Sequence, residues 1–175
     1  MIDELKKYGL FCAWKLVPRS WSLGDSVNYD ELMKDKKTQT KVPLCIATRR
    51  FARSNDESTF SSFDLASKSD LAQPILKQDR MIQGLGLGIF RGFSAVDIDH
   101  CVDGDGIANS FAKKIIDFFS SYTEYSPSGT GVRIIFKTNI KIDKDKFYAN
   151  NSKIGLEIYI EGSTSKFVTL TGNLY

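Results

Sequence analysis

The chain of 175 residues predicts a mixed α/β fold, and three observations carry that expectation. Apolar runs of strand length recur at Phe11–Val17, Val42–Thr48, Gly84–Phe90, Ser94–Asp99, Val132–Lys137, Ile154–Ile160 and Phe167–Thr171. Among them stands one stretch of clear helical periodicity, from Ile107 to Ser121. The composition, 42% hydrophobic and 26% charged, is that of an ordinary globular chain long enough for one sizeable domain, or a core with an added subdomain.

The first strand has a basic, aromatic character through Trp14 and Lys15. The polar stretch from Pro18 to Lys41 contains Trp21, Gly24, Lys34, Lys36 and Lys37 and reads as a long loop with one helical turn. After the second strand, Asp56–Ser67 places Phe60, Phe63 and Leu65 near helical spacing behind polar capping residues, which predicts a short helix. Asp70–Gln78 predicts another, interrupted at Pro74. Gly84, Gly86 and Gly88 alternate along the next strand and leave one face bare, so that another group can approach closely. The third glycine comes one residue too early for a dinucleotide-binding turn, and no helix follows. Ser94–Asp99 is expected as the hairpin partner of that strand. Asp105 is expected to cap the helix Ile107–Ser121, with Ile107, Phe111, Ile115 and Phe118 as its buried stripe and Lys113, Lys114 and Asp117 on its polar side. The aspartates at 103 and 105 lack the remaining ligands of a calcium loop and read as turn chemistry.

A net charge of +3 and a pI near 8.7 permit a nucleic-acid partner through a local basic groove without demanding one. Cys12, Cys45 and Cys101 are odd in number, far apart and in apolar surroundings; they read as reduced thiols of a cytoplasmic protein. The charged start and the short apolar runs speak against a signal peptide or a membrane span. The chain stops soon after a strand without a closing helix, and is expected to be a piece of a longer polypeptide.

Three segments carry chemistry. In Val96-Asp97-Ile98-Asp99 the alternation of a strand puts both aspartates on one face and Val96 and Ile98 in the core. Paired carboxylates repel unless a cation lies between them, which suits a hard divalent ion. Ser126–Arg133 is a glycine-rich turn leading into a strand on which Arg133, Ile135 and Lys137 share a face. It reads either as a backbone cradle for phosphate oxygens with Arg133 beside it, or as a hairpin turn with a surface arginine. In Gly155–Ile160, Leu156, Ile158 and Ile160 face the core, so Glu157 stands opposite with Tyr159. Glu157 is either the third carboxylate of a two-metal site or a solvated acid.

Taken together, Val96-Asp-Ile-Asp-His-Cys-Val-Asp-Gly-Asp-Gly106, Tyr122-Thr-Glu-Tyr-Ser-Pro-Ser-Gly-Thr-Gly-Val-Arg133, Leu156-Glu-Ile-Tyr159 and Phe167-Val-Thr-Leu-Thr-Gly-Asn173 resemble the archaeo-eukaryotic primase superfamily, in particular the primase-polymerase domains of phage and plasmid replication proteins. Trp14, Thr40–Pro43 and Thr59–Phe63 fit such domains too, so the resemblance spans nearly the whole chain. It implies an RRM-like mixed sheet carrying the catalytic acids (about residues 81–175) joined to an N-terminal αβ unit (about 1–80). It also implies template-directed nucleotidyl transfer from nucleoside triphosphates on a DNA template, with or without an existing primer, with a fused or associated helicase and no membrane. On the matching positions, Asp97, Asp99 and Glu157 would be catalytic and bind Mg2+ or Mn2+. Ser128, Gly129, Thr130 and Gly131 would hold the triphosphate together with Arg133. Many members carry a histidine where Arg133 stands; arginine keeps the charge and the donors but cannot act as a general acid near neutral pH.

Lys15, Lys41, Arg49, Arg50 and Arg53 are candidates for a template groove, with Trp14 or Trp21 stacking on bases. His100, the only histidine, is expected by strand alternation to face away from the aspartates. A noncatalytic nucleotide- or nucleic-acid-binding module is the alternative from another class, and a metal-dependent nuclease the third; the nuclease leaves the glycine-rich turn unexplained.

Overall fold

The computed structural model describes residues 1–141, 143 and 150–175, which form a mixed α/β fold of two antiparallel sheets. The first contains β1 (Phe11–Pro18), β2 (Gln39–Leu44), β3 (Ile75–Lys77), β4 (Arg80–Gly88) and β10 (Phe167–Thr169), in the order β10-β4-β1-β2 with β3 also on β4. The second contains β5 (Phe93–Ile98), β6 (Tyr122–Tyr125), β7 (Val132–Lys137), β8 (Asn150–Asn151) and β9 (Leu156–Tyr159), in the order β6-β7-β5-β9-β8. The strand bearing Asp97 is thus central, as expected. Around the sheets lie helices α1 (Ile2–Tyr8), α2 (Tyr29–Leu32), α3 (Phe63–Ser67) and α4 (Ser110–Phe119).

The expected hairpin of Gly84–Phe90 with Ser94–Asp99 does not form. β4 pairs with β1, β3 and β10, whereas β5 pairs with β7 and β9. Arg91 and Gly92, both in the left-handed region (φ 57° and 83°), turn the chain from one sheet into the other. The bare face of β4 is filled by side chains: a Cβ on Gly86 would lie 2.9 Å from Cys12 Sγ, and one on Gly84 3.3 Å from Trp14 Nε1.

Local competition explains the other departures. The helix expected over Asp56–Ser67 is split into a single 3-10 turn, Glu57–Thr59, and α3. Between them Ser61 exchanges two backbone hydrogen bonds of 2.7 Å with Phe11 and must be extended. Asp70–Gln78 keeps only the 3-10 turn Asp70–Ala72, since Pro74 ends it and β3 follows. β2 runs three residues earlier than expected and stops at Leu44, because Cys45–Arg50 closes a turn in which Arg49 has φ 57°.

Helix α4 is capped by Asn109, whose side chain accepts from the Ala112 N–H at 2.9 Å, and not by Asp105. Asp103 closes the preceding turn instead, accepting from the N–H groups of Asp105 and Ile107 at 3.0 and 2.8 Å. Ile107 therefore lies outside the helix. Ala112, Ile115, Ile116 and Phe119 pack on the sheet, while Phe111 and Phe118 are exposed, Phe118 to 82%. Two apolar stripes with helical spacing compete in this sequence, and the packing surface of Val96, Ile98, Val132 and Ile134 selects the second.

One core joins the sheets through Phe11, Leu87 and Val168 from the first and Phe93, Ala95 and Ile135 from the second, with Leu5 of α1 packed among them. A second core lies beneath α4. Trp14 is completely buried with Leu16, Leu32 and Ile82, so it cannot stack on a base; Trp21 remains accessible. All three cysteines are buried free thiols.

Candidate active site

The strand registers set one line of charged residues across the second sheet. Glu124 opposes Arg133, Arg133 opposes Asp97, and Asp97 opposes Glu157. Cross-strand neighbours share a face, so all four side chains emerge from the side opposite α4. Val96 and Ile98 occupy the other face and are sealed beneath the helix. Asp97 Oδ2 accepts from Arg133 Nη2 at 2.6 Å, with only 14% and 3% of the two side chains exposed. Arg133 Nη1 also donates to the Thr169 carbonyl and to its hydroxyl, the latter at 2.5 Å. Tyr159 donates its hydroxyl to Glu157, two residues along the same face of β9.

Glu124 completes this line from β6 and is fully buried. Its carboxylate accepts from the N–H groups of Thr171 and Gly172 (2.9 and 3.0 Å) and from the Tyr122 hydroxyl (2.8 Å). Burial pushes its carboxyl above the usual range, against the pull of those donors and of Arg133. The segment Phe167–Asn173 thereby acquires a physical role: Thr169 anchors Arg133, and Thr171-Gly172 anchors Glu124.

Asp99 stands just past the end of β5, where two glycines let neighbouring backbones close in. A Cβ on Gly131 would lie 2.6 Å from the Ile98 carbonyl oxygen. One on Gly155, which has φ 67°, would lie 2.6 Å from that of Asp99. Gly155→Ala is therefore expected to cost about 2–3 kcal/mol of stability and to displace Asp99. Thermal unfolding checks the first effect, and a melting curve matching the parent's would refute it. Burial, and then the charge of Asp97, raises the Asp99 carboxyl above its ordinary range. His100 lies in the turn beyond the strand, exposed and with φ 53°, so strand alternation does not govern its direction.

The turn Ser126–Gly131 is built by its own hydroxyls. Ser126 Oγ accepts from the Gly131 N–H at 3.1 Å, and Ser126, Ser128 and Thr130 form a chain of hydroxyl contacts at 3.1 and 2.9 Å. Ser128, Gly129 and Thr130 are exposed.

Between the sheets opens a cleft of about 340 Å3 lined by Lys41, Ser54, Asp97, Arg133, Tyr159 and Lys166, among others. Lys41 reaches it from β2 of the first sheet. Burial, followed by the charge of Arg133, pushes its ammonium down to about 8, although Asp97 and Asp99 pull the other way. The remaining basic candidates separate. Arg49 is held by both carboxylate oxygens of Asp70 (3.0 and 2.8 Å), and Arg53 by Asp56 (2.6 Å). Lys15 lies 5.9 Å over the Trp21 ring, which meets Phe51 edge-on at 5.8 Å, and Arg50 is exposed next to Phe51.

Among the described residues no three acidic, cysteine or histidine side chains gather as a preformed metal cage. The donors nonetheless suit a hard cation. Asp97 Oδ1 is buried without a hydrogen-bond partner, and Asp99 is raised by burial and then by the charge of Asp97. Local patterns in the sequence do not point to Glu124, Thr169 or Lys166 as parts of this site, and they put Tyr159 on the Glu157 face without a role. Glu124 carried a usable signal, a carboxylate inside an aromatic strand four residues before Ser128.

No protein-family model matches the chain. A DNA primase-polymerase of the Nitratiruptor phage NrS-1 is 25% identical to it over 146 residues, which make up 80% of this chain and 18% of that protein. The chain thus spans less than a fifth of the length of this relative. Among the described residues no helix is long and apolar enough to cross a membrane.

Proposed function

We propose that the chain is the catalytic domain of a primase-polymerase, transferring nucleotides from nucleoside triphosphates to a primer 3′-hydroxyl on a DNA template. A nucleotidyltransferase role at the family level is supported by the distant phage relative. The observation that carries the reading is the juxtaposition of Asp97, with its unpaired buried oxygen, and a cleft holding three cations, Lys41, Arg133 and Lys166. Three cations lining one cleft beside Asp97 suit a polyphosphate.

In this reading Arg133 and Lys41 grip the triphosphate from opposite sheets, and Lys166 neutralises its outer end. The turn Ser128–Gly131, exposed at Ser128–Thr130 and with Gly129 at φ 73°, would help hold the triphosphate, although the Gly129 and Gly131 N–H groups are bonded to Ser126 within the turn. Asp97, Asp99 and Glu157 would hold Mg2+ or Mn2+, with Glu157 turning from Tyr159. Divalent ions bound there would acidify the attacking hydroxyl and neutralise the charge on the leaving pyrophosphate. β5 carries Asp97, the backbones of Gly131 and Gly155 close on Ile98 and on Asp99 just beyond it, and Arg133 would orient the substrate without exchanging a proton. The template strand would run over Lys15, Arg50 and the Trp21–Phe51 pair, which offers stacking faces beside cations. The fold would be the RRM-like sheet of archaeo-eukaryotic primases with its N-terminal unit, in a longer replication protein that includes or recruits a helicase.

Incubating the protein with a primed DNA template, either nucleotide type and Mg2+ or Mn2+ tests this directly; incorporation is expected, and Trp21→Ala should weaken template binding about tenfold. Binding of nucleotide and template without incorporation under any condition would favour the noncatalytic module, a reading that the closed Arg133–Asp97 pair keeps relevant.

The cleft also predicts a pH effect. Lys41 is cationic below about 8 and neutral above it, so triphosphate affinity is expected to weaken as the pH rises through that value. Lys41→Arg, which stays charged, should abolish that alkaline limb. Identical pH profiles for the two proteins would remove Lys41 from the site.

A further inference from the structure

We infer that Arg133 is a positioning residue that couples triphosphate binding to metal loading: it holds Asp97 closed when the cleft lacks substrate and releases it by moving onto the phosphates. This rests on the reading of the cleft as a polymerase site and goes beyond it. The two roles assigned to this pair are mutually exclusive for the observed contact. Asp97 Oδ2 is taken by Arg133 Nη2 at 2.6 Å, so a cation at Asp97 must compete with a buried guanidinium. Arg133 in turn has its Nη1 on Thr169 and its Nε buried without a partner, so the arm is tethered but not satisfied. Asp97 Oδ1 is likewise buried and unpaired. Each member of the pair thus keeps one buried polar atom without a protein partner, which a bound ligand can complete. Glu124, fully buried and opposite Arg133, supplies a second negative charge along the line, so that the arginine is not left uncompensated when it turns from Asp97.

A site closed this way has an apparent affinity lowered by the fraction of molecules in which it is open. The same closed pair lowers both affinities, that of Asp97 for a cation and that of Arg133 for a triphosphate, and opening it for either ligand favours the other. The test is therefore crossed. Binding of Mn2+ alone is followed by the loss of the free-ion electron paramagnetic resonance signal, and binding of a deoxynucleoside triphosphate in EDTA by equilibrium dialysis. Arg133→Gln is expected to bind Mn2+ about tenfold more tightly than the parent, and Asp97→Asn to bind the metal-free triphosphate about tenfold more tightly. Asp99→Asn removes the same charge without touching Arg133, and should gain little triphosphate affinity.

The inference is overturned if Arg133→Gln gains no Mn2+ affinity, or if Asp99→Asn gains as much triphosphate affinity as Asp97→Asn. Should Arg133→Gln fail to fold, the two asparagine variants, each close in volume to its parent, still decide the question. If no form binds either Mn2+ or triphosphate, the polymerase-site reading fails, and the coupling fails with it.

Discussion

Asp97→Ala/Asp99→Ala is expected to abolish metal-dependent extension of a primed template, with a loss of about a thousandfold or more. Asp97 leaves β5 on the face that meets the cleft, beside Arg133 and Lys41, and Asp99 follows just past the end of that strand. Loss of Asp97 also leaves Arg133 and Lys41 without their nearest counter-charge, so triphosphate should still bind while transfer stops. Gel-resolved extension over a range of Mg2+ and Mn2+ concentrations measures this, with a denaturation curve to show that the variant folds. Extension at the parental rate in a folded double variant would sink the assignment of the acidic strand.

Glu124→Ala is expected to cost about 3–5 kcal/mol of stability. Truncation removes a fully buried charge facing Arg133 and strips acceptors from the Thr171 and Gly172 N–H groups and from the Tyr122 hydroxyl. It also loosens the C-terminal segment, which is tied to β6 by backbone bonds from Tyr125 to Asn173 and from Tyr175 to Thr123. For a domain of this size the melting temperature should fall by roughly 10 °C. A change below about 1 kcal/mol in denaturant unfolding would show that Glu124 is not a keystone of the charged line.

Much of the second sheet was legible because its strands obey one rule. Val96 and Ile98 alternate with Asp97, and Leu156 and Ile158 with Glu157, so both faces could be assigned from period two alone. The capping chemistry was less legible. Asp103, Asp105 and Asn109 are all competent caps within seven residues, and only the packing of Ala112 and Phe119 on the sheet decides that Asn109 starts the helix. The hairpin expectation failed for a related reason: β4 and β5 are both apolar and adjacent in sequence, and nothing local distinguishes pairing with each other from pairing in separate sheets. Lys41 looked like one basic residue among many, and only its placement beside Asp97 and Arg133 moves it from the template groove to the cleft.

Strand periodicity and side-chain polarity are local, so they suffice for the mixed α/β class, the central acidic strand and the face on which Asp97 and Glu157 stand. Which cations face those acids, the clasp of Arg133 on Asp97, and its bracing by Thr169 and Glu124 emerge only once the sheets are assembled. Those contacts join residues 36 or more positions apart or lying on different strands, and they follow from sheet register and the meeting of two sheets, which no local pattern encodes.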